Sequence, residues 1–222
     1  MREFDDEIRA AGPPLVWQGP GGGPIVLVLD PAGEAKHDEL PATWRPLAEH
    51  IRVGWCRLPA DARYGKTVED VLRGLDHRAH LVAAGSAARH ALRLAWEHAA
   101  LVRSVIAVDP APAGETAPPA DVYTAIADWW NTETEPLRRE LTARDIRVVC
   151  FVSRAGDPAV RVEPPVPLGH PDVVARVVQT LLSFQGEGHR EPVEPQRRAE
   201  IAASWRAVRK RFGPALQRAR RG

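Results

Sequence analysis

The chain has 222 residues, of which 44% are apolar and 27% charged, and its net charge is +1. These values sit near globular averages, so bulk disorder is excluded and one domain with a tail is the expected organisation. Between Gln196 and Gly222, nine basic residues (Arg197, Arg198, Arg206, Arg209, Lys210, Arg211, Arg218, Arg220, Arg221) stand against the single acid Glu200, a surplus of eight. The remaining 21 basic and 28 acidic residues leave a deficit of seven, so an acidic body carries a basic C-terminal segment.

In chain order, Pro14–Trp17 predicts a short strand and Gln18–Pro24 (QGPGGGP) a turn. Ile25–Leu29 is a continuous apolar run, as a buried strand requires. Together they suggest a hairpin that leads into a central strand. The glycine-rich turn is not read as a phosphate loop, because Pro20 and Pro24 remove donors and a strand follows it. Pro41–Ile51 predicts a helix with Trp44, Leu47 and Ile51 on one face. Val53–Cys56 predicts a strand, and Thr67 is placed to cap a helix over Val68–Leu75. His80–Ala84 is a strand, Ala87–His98 a helix, and Ser104–Val108 a strand that ends at Asp109. Residues 110–144 read as a short cap or connector with helices at Asp121–Trp130 and from Glu135. Ile146–Val152 is a strand, and Pro171 opens a helix that runs to Phe184. Strand and helix alternate, which predicts an α/β fold with a mostly parallel, doubly wound sheet. The domain is expected over residues 1–186. Residues 187–222 follow as a tail, with Ile201, Trp205, Val208 and Phe212 at the spacing of an amphipathic helix over Gln196–Phe212.

Cys56 and Cys150 lie in apolar, strand-like runs and are expected as reduced core thiols. The charged start MREFDDEIRAAGPP has no apolar core of a signal peptide, and no apolar run approaches the ~18 residues of a membrane helix. A cytoplasmic protein is expected. Asp76, His77 and His80 lack further ligands at useful spacing, so neither a metal nor an organic cofactor is expected.

The most specific stretch is HLVAAGSAARHALRLAWEHAALVRSVIAVDPA, His80–Ala111. With the strand VLVLDPAG (Val26–Gly33), TWRPLAEHIRVGWCRLPAD (Thr43–Asp61), IRVVCFVSRAGDPAV (Ile146–Val160) and PLGHPDVVARVVQTLLSF (Pro167–Phe184), it resembles the α/β-hydrolase superfamily over most of residues 14–184. The resemblance implies a nucleophile elbow: a strained strand-to-helix turn flanked by small residues, above a helix N-terminus that favours an oxyanion. On this reading Ser86 is the nucleophile, Asp157 the acid, His170 the base, and the Ala87 N–H an oxyanion donor.

Three features depart from the pattern. An ungapped alignment puts Gly85, not Ser86, at the elbow tip, and both frames have small neighbours. Asp30-Pro31 replaces the His-Gly that follows the oxyanion strand, bringing an acid and removing a donor. Only twelve residues separate Asp157 from His170. Each residue also has a plainer reading. Ser86 can be a helix N-cap, His170 a loop histidine beside Asp172, and Asp157 a turn residue. His90 lies one helical turn after Ser86 and can reach the site, with a helix-surface histidine the plainer reading. Tyr123, Trp129 and Trp130 can line an apolar pocket under the cap, with core packing the default for such aromatics; adjacent on a helix, one of the tryptophan pair points elsewhere and can face substrate.

The expected function is a serine hydrolase acting on a small ester or thioester. The alternative is a pseudohydrolase that binds a small molecule or a partner protein, and a third reading is acid–base chemistry by His170 and Asp30 in a rebuilt site. The basic helix can meet nucleic-acid phosphates, an anionic membrane, or the acidic body or a second subunit. The body's opposite charge makes docking the expectation. Nucleic acid is not expected, because no recognised nucleic-acid fold is visible.

Overall fold

The run Ile25–Asp30 is buried at every position, and so is Ala79–Ala84, because the strands they form are covered on both faces. The computed structural model of the chain describes residues 15–30, 39–57, 68–111, 122–152, 165–184 and 195–219; at 122, 123, 125, 195, 197, 198 and 214–219 it describes the backbone alone. The strands are β1 (Leu15–Gln18), β2 (Ile25–Asp30), β3 (Arg52–Arg57), β4 (Ala79–Ala84), β5 (Val102–Val108) and β6 (Arg147–Phe151). They form a six-stranded sheet in the order β1-β3-β2-β4-β5-β6. All pairings are parallel except that of β1 with β3.

That exception corrects the expected hairpin. Both edges of β2 are taken, by β3 and by β4, so β1 pairs instead on the outer edge of β3, with Leu15 opposite Cys56. Gly54 in β3 is required by this arrangement. A Cβ there would lie 2.7 Å from the Trp17 ring and 2.7 Å from Leu27 Cδ2. Gly54→Ala is therefore expected to destabilise the fold by about 1–3 kcal/mol, as overpacking does. Urea unfolding followed by tryptophan fluorescence checks this, and an unchanged midpoint would contradict the packing.

The helices are α1 (Arg45–Ala48), α2 (Val68–Arg73), α3 (Ala87–Glu97), α4 (Val122–Thr132), α5 (Glu135–Ala143), α6 (Pro171–Phe184) and α7 (Pro195–Ala219). α1 is shorter than the expected Pro41–Ile51. Pro46, lacking an N–H, sits in its first turn, and residues 42–44 form turns ahead of it. Trp44, Leu47 and Ile51 are nonetheless fully buried. The cap expected at Thr67 lies outside the described residues. α7 runs on past Phe212, through Pro214, to Ala219. Gly213, with no Cβ, lessens the clash that ends most helices before proline.

Side chains alternate between two cores, one on each face of the sheet. Val26, Val28, Val53, Trp55, Val82, Ile106 and Val108 pack with Trp44 and Leu47 around α1, with α6 and with Trp205 and Val208 of α7. Leu27, Leu29, Leu81, Ala83, Val105 and Ala107 pack with α2, α3, Trp129 and Trp130 of α4, and Leu141 of α5. The α/β expectation holds: the sheet is mostly parallel, with helices on both faces. Among the described residues no helix is long and apolar enough to cross a membrane.

Candidate functional site

β4 ends at Ala84 and α3 begins at Ala87, so two residues, Gly85 and Ser86, make the turn between them. Gly85 has φ +53° and Ser86 has φ −65° and ψ −23°. The left-handed backbone that makes an elbow strained falls on the glycine, where it costs little. Gly85 N donates to Val108 O at 3.0 Å, and Gly85 O accepts from Ala88 N at 3.2 Å and Ala111 N at 3.1 Å. The turn is thereby fixed to the ends of β5 and α3.

Pro165 sits over the tip. A Cβ on Gly85 would lie 3.1 Å from Pro165 Cγ, so the proline ring occupies the direction in which an elbow side chain would project. Asp109 holds that segment in place. It is fully buried at the end of β5, it adopts φ +42°, and its Oδ2 accepts a hydrogen bond from Val166 N at 2.9 Å. Its own N–H donates to Phe151 O at 2.8 Å. Asp tolerates this conformation better than most residues. In sequence, Asp109 marks only the end of an apolar strand. The available signal was the Asp-Pro step directly after an apolar strand.

Ser86 is exposed, occupies the N-cap position of α3, and makes no side-chain cap hydrogen bond. Ala87 is buried as the first residue of α3, where first-turn N–H groups have no intrahelical partner. His90, one turn further, is half-buried, and burial lowers its pKa, with Arg93 adding to the effect.

His170 serves α6 as its N-terminal cap. Asp172 N donates to His170 Nδ1 at 3.3 Å, and Val174 N donates to His170 O at 3.0 Å. With Nδ1 accepting, the neutral ring carries its proton on Nε2. A serine–histidine–acid relay needs the reverse, with Nδ1–H toward the acid and a free Nε2 toward the serine. Asp172 Oδ2 lies 3.8 Å from Nδ1, beyond hydrogen-bond reach. Among the described residues Ser86 and His170 are not hydrogen-bonded to each other. The loop before His170 is pinned to the opposite side of the sheet: Thr43 Oγ1 donates to Gly169 O at 2.7 Å and Trp44 Nε1 to Leu168 O at 2.8 Å. Asp157 and Pro31 lie outside the described residues.

Asp30 is fully buried at the end of β2, where Trp55 Nε1 donates to its Oδ2 at 2.7 Å. Its β3 neighbour in register is Arg57, also buried. Asp30, Arg57 and Asp109 thus end three strands at the carboxyl edge of the sheet, the side on which open α/β folds place ligands.

The aromatic pair is packed into the core. Trp129 and Trp130 are both buried, at a centroid distance of 6.4 Å, and neither projects into solvent. Although they leave α4 in different directions, Arg89 covers the Trp129 ring at 5.3 Å and Arg138 covers Trp130 at 4.9 Å. The side chain of Tyr123 is outside the description. Burial raises the pKa of both Cys56 and Cys150 to about 12, so neither offers a thiolate nucleophile. Among the described residues no three His, Cys, Asp or Glu side chains converge as a metal set.

No family model and no curated protein matches the chain. Among solved structures it is similar to a serine hydrolase involved in carbazole degradation (14% identity, TM-score 0.37), with 59% of this chain covering 63% of that one. It is similar also to the thioesterase domain from the curacin biosynthetic pathway (18% identity, TM-score 0.32, covering 58% of this chain and 57% of that one). A third is a carboxylesterase from Bacillus subtilis (16% identity, TM-score 0.38, covering 72% of this chain and 55% of that one). The chain spans less than two thirds of each of these structures. The fold of this chain is α/β, with a strand, a sharp turn and a helix meeting at the carboxyl edge of a mostly parallel sheet.

Proposed function

We propose that the protein is a pseudohydrolase: it uses an α/β-hydrolase-like scaffold to bind a small molecule or a partner protein and performs no acyl transfer. The observation that carries this reading is the left-handed φ of Gly85 under the Pro165 ring. An elbow acts by presenting its nucleophile on the strained residue. Here that residue has no side chain, and the space above it is filled. The tautomer that His170 needs to cap α6 is a second support, since it turns the ring's acceptor away from a serine relay.

The exposed Ser86 beside the elbow makes the competing hydrolase reading testable. Wild type and Ser86→Ala are treated with a fluorophosphonate probe and read by intact mass, beside a control hydrolase. The expected result is no adduct on either protein under conditions that label the control fully. A single adduct on wild type that disappears in Ser86→Ala would establish an activated serine and sink the pseudohydrolase reading.

A further inference from the structure

α7 buries one face and exposes a row of cations on the other. Trp205 and Val208 are buried in the first core, and Ile201 and Phe212 pack against it. Arg206, Arg209, Lys210 and Arg211 are exposed. Among the described residues none of these four makes an ion pair. Exposed arginines elsewhere behave differently: Arg45 pairs with Glu39, Arg73 with Glu69, Arg89 with Glu133 and Arg139 with Glu135. The segment's one acid, Glu200, is turned toward the β1–β2 connection, its Oε2 2.9 Å from where a Gly22 Cβ would stand. Packing of α7 on the body therefore uses apolar side chains and, among the described residues, leaves the cations without counter-charges. Arg206 and Lys210, four residues apart, repel each other along the helix.

We propose that this outer face of α7 binds the phosphate backbone of nucleic acid. Two features select that partner over an anionic membrane. An amphipathic helix adheres to a bilayer by inserting its apolar face, and here Trp205 and Val208 are spent on the protein core. The guanidinium fork of arginine also pairs with phosphate through two parallel hydrogen bonds, and three of the four exposed cations are arginines. This departs from the docking expectation because the cations take no part in the docking. Contacts of this kind neutralise phosphates and read no base edge, so binding is not sequence-specific.

The test uses the full chain and fluorescence anisotropy with a labelled DNA duplex of mixed sequence and, as a second arm, a single-stranded RNA. Four contacts predict a slope of about −3 to −4 in log affinity against log salt, and a loss on the order of a hundredfold between about 50 and 200 mM. Combining Arg206→Gln, Arg209→Gln, Lys210→Gln and Arg211→Gln should remove most of that slope while the thermal midpoint stays put, since the four side chains are exposed. If the combined variant does not fold, Lys210→Gln alone should lower the slope by about one unit. Absence of binding to both nucleic acids at low salt overturns the proposal. So does a slope that the variants leave unchanged, or co-sedimentation with phosphatidylserine vesicles without binding to either nucleic acid.

Discussion

Trp44→Ala is expected to lower the stability of the fold by about 3–5 kcal/mol, a large part of the roughly 5–15 kcal/mol that holds a domain together. Trp44 is fully buried, and its ring meets that of Trp55 edge-on at 5.3 Å with an interplanar angle of 81°. Truncation removes that contact and opens a cavity between α1 and the sheet. It also strands the carbonyl of Leu168, which accepts from Trp44 Nε1 at 2.8 Å in a buried setting. The two losses separate in Trp44→Phe, which keeps most of the ring and loses the donor. That variant should cost about 1–3 kcal/mol, the range for an orphaned buried polar group. Because Leu168 follows Pro165 and Val166 in one segment, Trp44→Ala should also loosen the cover over Gly85. Urea unfolding by far-ultraviolet circular dichroism measures the first effect, and hydrogen exchange at Val166 and His170 the second. A midpoint within error of wild type for Trp44→Ala would remove Trp44 from its place as the pin of this segment.

The sequence disclosed the elements more readily than their neighbours. β2 and β4 could be read because burial on both faces demands continuous apolar runs, and α6 because Pro171 marks its first turn. The pairing of β1 could not be read. A short glycine-rich turn between two strands has the chemistry of a hairpin, but the partner is decided by which sheet edges remain open. The tryptophan pair was legible as core: both rings are buried in the second core, with arginines of α3 and α5 over them. At the elbow, AAGSAA has small residues in both frames, so composition could not choose between Gly85 and Ser86. The backbone decides it: the residue with no Cβ takes the left-handed position. His170 was legible as a residue before a helix but not as a cap, since the tautomer follows from a hydrogen bond to Asp172 N. Asp109 was hidden because its partner, Val166, lies 57 positions away in sequence.

Acidification should destabilise the protein through His80, the histidine buried in the sheet. His80 is buried on β4, its Nδ1 2.7 Å from Ser104 Oγ, with its ring stacked on Phe184 at 6.0 Å and met edge-on by Trp205 of α7 at 6.2 Å. Burial first, and then the positive charges of Arg103, Arg147 and Arg78, together lower its pKa from 6.5 to about 3. Between those two values the unfolded chain binds a proton that the folded chain refuses. The contribution of neutral His80 is thus intact above pH 6.5 and is lost as pH falls toward 3. Each unit is worth about 1.4 kcal/mol, so at pH 4 the loss is about 3 kcal/mol. Carboxylates add their own losses over the same range, and a comparison with His80→Gln separates them. The variant is less stable at neutral pH, but its stability should fall between pH 6 and pH 4 by about 3 kcal/mol less than that of wild type. The quantity to measure is the urea midpoint against pH for both proteins. Parallel curves would mean that His80 is protonated in the folded state, and that its contacts with Ser104, Phe184 and Trp205 do not exclude the charge.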